Sequence, residues 1–208
     1  MADTPVVMLA AGRSSRTGSA GLPKGLIEVQ GKPWILGQLE ALKRAGLSRV
    51  FVVLGHQKEV YEKVLGPHRN FAERSGVEVH LVHNPDPDRG SFSSLQCGLR
   101  AVGLRGAWVL PVDVPCPTRA VWESLEQEAL VRSADAALPV HSGRGGHPVL
   151  ISEAFVCRLL DLSPDSKESR LDHQIHALSP HQVARVEVTD ERVLANLNTL
   201  ADFASLAG

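Results

Sequence analysis

The residues most suited to chemistry lie near the start of the chain, in Leu9-Ala10-Ala11-Gly12-Arg13-Ser14-Ser15-Arg16. Small residues let a backbone approach a ligand closely. Successive backbone N–H groups in such a turn form a nest for an anion. Arg16 adds a fork of donors that matches phosphate oxygens. Lys24, in Leu22-Pro23-Lys24, adds a compact positive charge on a flexible stem. Leu9, Ala10, Ala11, Gly12, Ser14, Arg16 and Lys24 are therefore candidates to surround a polyphosphate. Two familiar phosphate loops fail on spacing. A Walker A loop needs Gly-Lys-Ser/Thr, but Gly31-Lys32 runs into Pro33, and the G-x-G-x-x-G of dinucleotide folds is missing from the first loop.

Asp113 ends the apolar run Val109-Leu110-Pro111-Val112. A carboxylate at the end of a strand beside a phosphate loop is placed to hold Mg²⁺. The competing reading is a turn or capping Asp ahead of Pro115. Ser91, Ser93 and Ser94 open a helical pattern, where their hydroxyls can donate to an anion or simply cap the helix. Ser94 is retained as a nucleotide-binding candidate. No nucleophile-plus-base pair is evident, which suits transfer between groups that are already ionised.

The elements that must position these residues follow from periodicity. Short apolar runs at Val6–Ala10, Val50–Leu54 and Ala107–Val112 read as strands covered on both faces. Strand patterns also occur at 77–82, 134–140, 147–151, 183–188 and 193–195. Helical patterns cover 33–45, 57–65, 91–102, 118–131, 155–160, 170–178 and 199–206. Gly143-Arg144-Gly145-Gly146 reads as a flexible, basic loop. Alternation in units of about thirty residues predicts an α/β fold, with a Rossmann-like, mostly parallel sheet and helices on both faces. Ligands in such sheets sit beyond the carboxyl ends of strands at a switch point.

The chain has 208 residues, 22 Lys plus Arg, 23 Asp plus Glu and a formal net charge of −1. That balance provides no field for nucleic acid. No apolar run reaches bilayer length, and the N-terminus lacks a signal-like pattern. A cytoplasmic protein with no membrane partner is expected. Three widely spaced cysteines, Cys97, Cys116 and Cys157, argue against a disulfide framework or zinc site and are read as small buried residues. A single domain over 1–208 is expected, with one half near 1–115 and a second near 116–208. Oligomeric state is left open.

The combination of Leu9-Ala10-Ala11-Gly12-x-Ser14-x-Arg16, Pro23-Lys24, Gly31-Lys32-Pro33, Asp113-Val114-Pro115, Gly146-His147-Pro148 and Asn196-Leu197-Asn198-Thr199 resembles the MobA-like, molybdenum-cofactor cytidylyltransferase group of the NTP-transferase superfamily. Thr17, where many members carry Met, is a minor departure. The resemblance implies a GT-A-like nucleotidyltransferase fold. It implies a Mg²⁺-dependent reaction joining an NTP, CTP favoured, to a small phosphorylated acceptor such as molybdopterin, with release of pyrophosphate. It further implies that Arg16 holds the β/γ-phosphates and Lys24 the α-phosphate. Asp113 and Asn198 would be metal ligands, with Asn196 a substitute for Asn198, while His147 and Arg170 would contact the acceptor. Two alternatives stay open. One is a sugar- or choline-phosphate nucleotidyltransferase; the other is a catalytically degenerate nucleotide-binding or chaperone module. A dehydrogenase is disfavoured by the missing dinucleotide fingerprint.

Overall fold

The computed structural model of the chain describes residues 4–13, 22–66 and 76–205. Its strands are β1 (Val6–Ala10), β2 (Glu28–Val29), β3 (Lys32–Pro33), β4 (Arg49–Leu54), β5 (Glu78–His83), β6 (Ala107–Pro111), β7 (Ala136–His141), β8 (Arg144–Gly145), β9 (Val149–Ile151) and β10 (Val183–Glu187). The helices are α1 (Trp34–Arg44), α2 (Lys58–Leu65), α3 (Ser91–Val102), α4 (Arg119–Arg132), α5 (Glu153–Asp161), α6 (Leu171–His176) and α7 (Leu200–Ala204). The main sheet runs β10-β7-β9-β6-β1-β4-β5, with β8 paired to β7. Among the described residues no helix is long and apolar enough to cross a membrane.

β1 is central because Val6, Val7 and Met8 leave nothing exposed. It pairs in parallel with β4 on one side, Ala10 opposite Leu54, and with β6 on the other, Leu9 opposite Pro111. The carboxyl ends of three strands are therefore level, and the chain reverses its direction of sheet growth between β1 and β6. One face of the sheet is covered by α1, α2 and α4, through residues such as Ile35, Leu39, Tyr61 and Trp122. The other is covered by α3, α5 and α6, through Phe92, Leu99, Phe155 and Ile175. Trp108 and Trp122 are both core residues, packed edge to face with centroids 4.9 Å apart. Burying both indoles is favoured by their area and ring geometry.

The structure departs from the sequence patterns in several places. The strand expected over 147–151 is confined to β9, which runs antiparallel between β6 and β7. The expected flexible loop at Gly143–Gly146 is a two-residue hairpin, with β8 paired to Val140 and His141. Ser142 and Gly143 both adopt positive φ, 52° and 75°, as a twisted two-residue turn requires. The expected strand at Val193–Ala195 is instead a 3-10 turn over Glu191–Leu194. The Asp190 carboxylate captures the Arg192 N–H and guanidinium there, so the backbone is satisfied locally. Burial acts to raise the Asp190 pKa, but these bonds and the one from Thr118 N–H bring it down to about 2. The β2–β3 hairpin, turning on Gln30 and Gly31 at φ 53° and 75°, is too short to show a pattern. Of the cysteines only Cys116 is fully buried, and burial pushes its thiol up to about 12, whereas Cys97 and Cys157 are half-buried.

Gly98 sets the depth of α3 against the sheet. A Cβ there would overlap Val7 Cγ1 and lie 2.9 Å from Val53 Cγ2, both in the core. Gly98→Ala gains up to about 1 kcal/mol of helix propensity but overpacks the interface by roughly 1–3 kcal/mol. Urea unfolding is expected to show a net loss of about 1–2 kcal/mol.

Candidate active site

A cavity of about 1050 Å³ opens at the level carboxyl ends of β1, β4 and β6. Leu9, Ala10, Ala11 and Gly12 line it, together with Lys24 and Asp113. At its wall the Lys24 ammonium donates to Asp113 Oδ2 at 2.6 Å and to Asn198 Oδ1 at 2.8 Å. The Lys24 and Asp113 side chains are only 13% and 21% exposed. Such a charge needs a partner because little water reaches it.

Each of the three is held by its own support. Asp113 follows β6, where Val112 N–H extends the sheet by donating to Leu9 O at 3.0 Å. Trp34 Nε1–H donates to Val112 O at 2.6 Å, and Leu197 N–H to Asp113 O at 2.8 Å. Gln38 is 2% exposed and spans the loop. Its amide donates to Val114 O at 2.6 Å and accepts from Cys116 N–H at 2.9 Å. Asn198 is oriented from its other end, since its Nδ2 donates to Asn196 O at 3.0 Å. Asp202 accepts from the N–H groups of Asn198 and Thr199, both at 2.7 Å, which holds its carboxyl below the usual range. Thr199 does cap α7, so the capping role and the Asn198–Lys24 contact coexist. Lys24 starts a 3-10 turn, and the adjacent Gly25 N–H donates to the Tyr61 hydroxyl at 3.1 Å. Any side chain at 25 would collide with Tyr61, its Cβ falling 2.7 Å from Oη. Burial raises the Tyr61 pKa, so it stays a phenol.

The remaining candidates are placed unevenly. Ser14, Arg16 and Thr17 lie outside the described residues. Ser94 lines the cavity, its hydroxyl accepting from Asn84 Nδ2 at 3.0 Å. Ser93 turns inward, accepting from Asn84 at 2.9 Å and donating to Gly90 O at 2.8 Å. Serine capping of α3 does not occur, because Gly90 is the cap and has no side chain to accept from the first N–H groups. Arg170 reaches the cavity wall but is tied to Asp172 by two bonds of 3.0 Å. Asn196 lines the cavity, yet its backbone carbonyl serves Asn198. His147 also lines it, its backbone N–H donating to Val193 O at 2.9 Å, while its Nδ1 is buried with no partner among the described residues. Burial lowers its pKa, outweighing the Val109 backbone and the Asp113 charge.

Several contributors carried no signal in linear sequence. Tyr61, Trp34 and Gln38 read as ordinary helix residues. Arg185 lines the cavity, and its guanidinium has no hydrogen-bonding or ionic partner among the described residues. Its position within an edge strand concealed it. Arg13 donates to Asp88 Oδ1 at 2.5 and 3.1 Å, and His56 Nε2 lies 3.0 Å from the same oxygen. This cluster spans from the first loop to the loop before α3 and holds the Asp88 carboxyl below its usual range.

Comparison with known proteins agrees with this fold. Residues 6–186 match the MobA-like NTP transferase domain. The chain belongs to that family. It is a nucleotidyltransferase. It is 25% identical over 206 residues to molybdenum cofactor cytidylyltransferase of Escherichia coli K12, covering 95% of this chain and 92% of the relative. It is 28% identical over 185 residues to the bifunctional protein GlmU of Trichlorobacter lovleyi, covering 85% of this chain but 38% of that longer protein. In fold it is similar to a nucleotidyl transferase from Methanothermobacter thermautotroptrophicus, with TM-score 0.73, 21% identity and coverage of 98% and 95%. It is also similar to Rv0371c of Mycobacterium tuberculosis H37Rv in complex with manganese, with TM-score 0.64, 20% identity and coverage of 89% and 88%.

Two expectations follow for this family member. Tyr61→Phe removes the acceptor for Gly25 N–H and should lower stability by about 1–2 kcal/mol in chemical unfolding. His147 is a base whose folded pKa lies below its unfolded value near 6.5. The unfolded chain therefore takes up the proton first, and the stability His147 provides is full above that value and lost as pH falls below it. Melting temperatures from pH 8 to 5 should drop less steeply for His147→Gln than for the unsubstituted protein.

Proposed function

We propose that the protein transfers a nucleotidyl group, with CTP the favoured donor, to a phosphomonoester acceptor such as molybdopterin, releasing pyrophosphate. The observation that carries this reading is the meeting of Lys24, Asp113 and Asn198 at the switch point of the sheet, beside the small-residue loop after β1. A nucleotide-binding half near 1–115 and an acceptor half near 116–208 fit the two sides of the cavity. The cytidylyltransferase relative, matched over nearly its whole length, supports the choice of CTP and of a molybdopterin-like acceptor.

The donor set suits Mg²⁺. Among the described residues no group of three or more His, Cys, Asp or Glu could hold a metal. Asp113 and Asn198 instead present one anionic and one neutral oxygen to a shared cation, here the Lys24 ammonium. Two protein oxygens leave other positions to water and phosphate, as Mg²⁺ prefers. Bound there, the metal would supply charge neutralisation at the phosphates.

The chain's own residues do the rest. Backbone N–H groups at Ala11 and Gly12, with Ser14 and Arg16, are assigned to the triphosphate, Ser94 to the nucleotide and Lys24 to the α-phosphate. His147 and Arg170, joined by Arg185, are assigned to the acceptor side. An acceptor phosphate oxygen is already ionised, so it attacks the α-phosphorus without a general base. The α–β bridging bond breaks as the new P–O bond forms, and pyrophosphate leaves with the electron pair. Catalysis is then alignment and charge stabilisation. Leu138, Val149 and Ile175 line the acceptor side with carbon.

Thermal-shift titration with CTP, GTP, UTP and ATP plus Mg²⁺ tests the donor, since ligand at 100 times its Kd adds about 2.7 kcal/mol. CTP should give the largest shift. Pyrophosphate release should require Mg²⁺, and Asp113→Ala should lower it about 10²–10³-fold without loss of fold. Near-normal release in that variant would remove Asp113 from the mechanism. Nucleotide binding without release by the unsubstituted protein would favour a binding module.

A further inference from the structure

We propose that Lys24 is the resident cation of the Asp113–Asn198 oxygen pair in the nucleotide-free protein. A divalent cation then binds only when Lys24 leaves, so metal and nucleoside triphosphate enter as a single joint ligand. This rests on the reading of Asp113 and Asn198 as metal ligands.

Lys24 Nζ lies 2.6 Å from Asp113 Oδ2 and 2.8 Å from Asn198 Oδ1. Those are the oxygens that would face the metal. A second cation approaching both oxygens from the cavity would crowd the ammonium that already bridges them. Two like charges that close repel, and the low exposure of the Lys24 and Asp113 side chains, 13% and 21%, leaves little water to screen them. Occupancy is therefore exclusive.

The departure of Lys24 needs no backbone movement. Its backbone is held by Leu26 N–H donating to Pro23 O at 2.8 Å and by Gly25 N–H on Tyr61. The four-carbon stem swings on that fixed base. A free metal ion would strip the ammonium of its carboxylate and offer nothing in return. A triphosphate arriving with the metal offers the ammonium a new anion. The two ligands must then raise each other's affinity by the same factor.

Mn²⁺ binding to the nucleotide-free protein, read from the free-ion signal in electron paramagnetic resonance, tests this without turnover. Lys24→Met should bind Mn²⁺ at least about 5-fold more tightly than the unsubstituted protein, the low end of typical site coupling. Lys24→Arg, which keeps the charge, should stay weak. The gain should vanish in Lys24→Met/Asp113→Asn. Equal affinity in Lys24→Met and the unsubstituted protein would overturn the proposal, as would a gain that survives loss of the Asp113 charge. Should Lys24→Met fail to fold, Lys24→Gln is read by the same criteria. A Mn²⁺ gain without pyrophosphate release by the unsubstituted protein would defeat the catalytic reading alone and leave the exchange standing.

Discussion

A carboxylate drawn most of the way out of water must have a cation beside it, and at Asp113 that requirement brings distant parts of the chain together. Its partner Lys24 is 89 residues away in sequence, and Asn198 stands 174 residues from Lys24. The contact therefore forms only when the sheet, the first loop and the C-terminal segment are all in place. The level ends of β1 and β6 make it feasible, because they set the first loop and the Asp113 loop side by side. The antiparallel insertion of β9 beside β6 brings the His147 segment to the same end.

The supports around this contact are backbone bonds to buried side chains, which leave little play. Trp34 and Gln38 on α1 take up the polar groups of the Asp113 loop, and Tyr61 on α2 does so for the turn after Lys24. Each such group would be expensive to leave unsatisfied. The rim of the cavity is built differently. Arg13–Asp88 and Arg170–Asp172 are exposed pairs, a type worth little net stability. Their partners are easily exchanged for those of a ligand. A fixed centre with an exchangeable rim suits a protein that must align one phosphorus while admitting and releasing bulky anions.

The sequence was most legible where local physics dominates. Continuous apolar runs marked β1, β4 and β6, because a strand covered on both faces has no polar side to show. Periodicity marked α1 to α5 for the converse reason. It misled at Val193, where Asp190 satisfies the turn locally, and at Gly143–Gly146, where a glycine-rich stretch pairs with β7 as a hairpin. Leu9 to Gly12 and Asp113 were legible from position at strand ends and His147 and Arg170 only from the family resemblance, and together with Lys24 and Ser94 they line one cavity.

By itself the sequence determined the α/β class and pointed to the strand ends where the cavity lies, with the residue types that line it. These depend on hydrophobic patterning and on chemistry carried within a few residues. The tertiary structure decided the partners. It put the Lys24 ammonium on the oxygens of Asp113 and Asn198, left Arg185 unpaired among the described residues, and recruited Trp34, Gln38 and Tyr61 as supports. Those choices depend on contacts between segments far apart in the chain. The number of arrangements that would satisfy each group is large in sequence and becomes small only after the sheet has assembled.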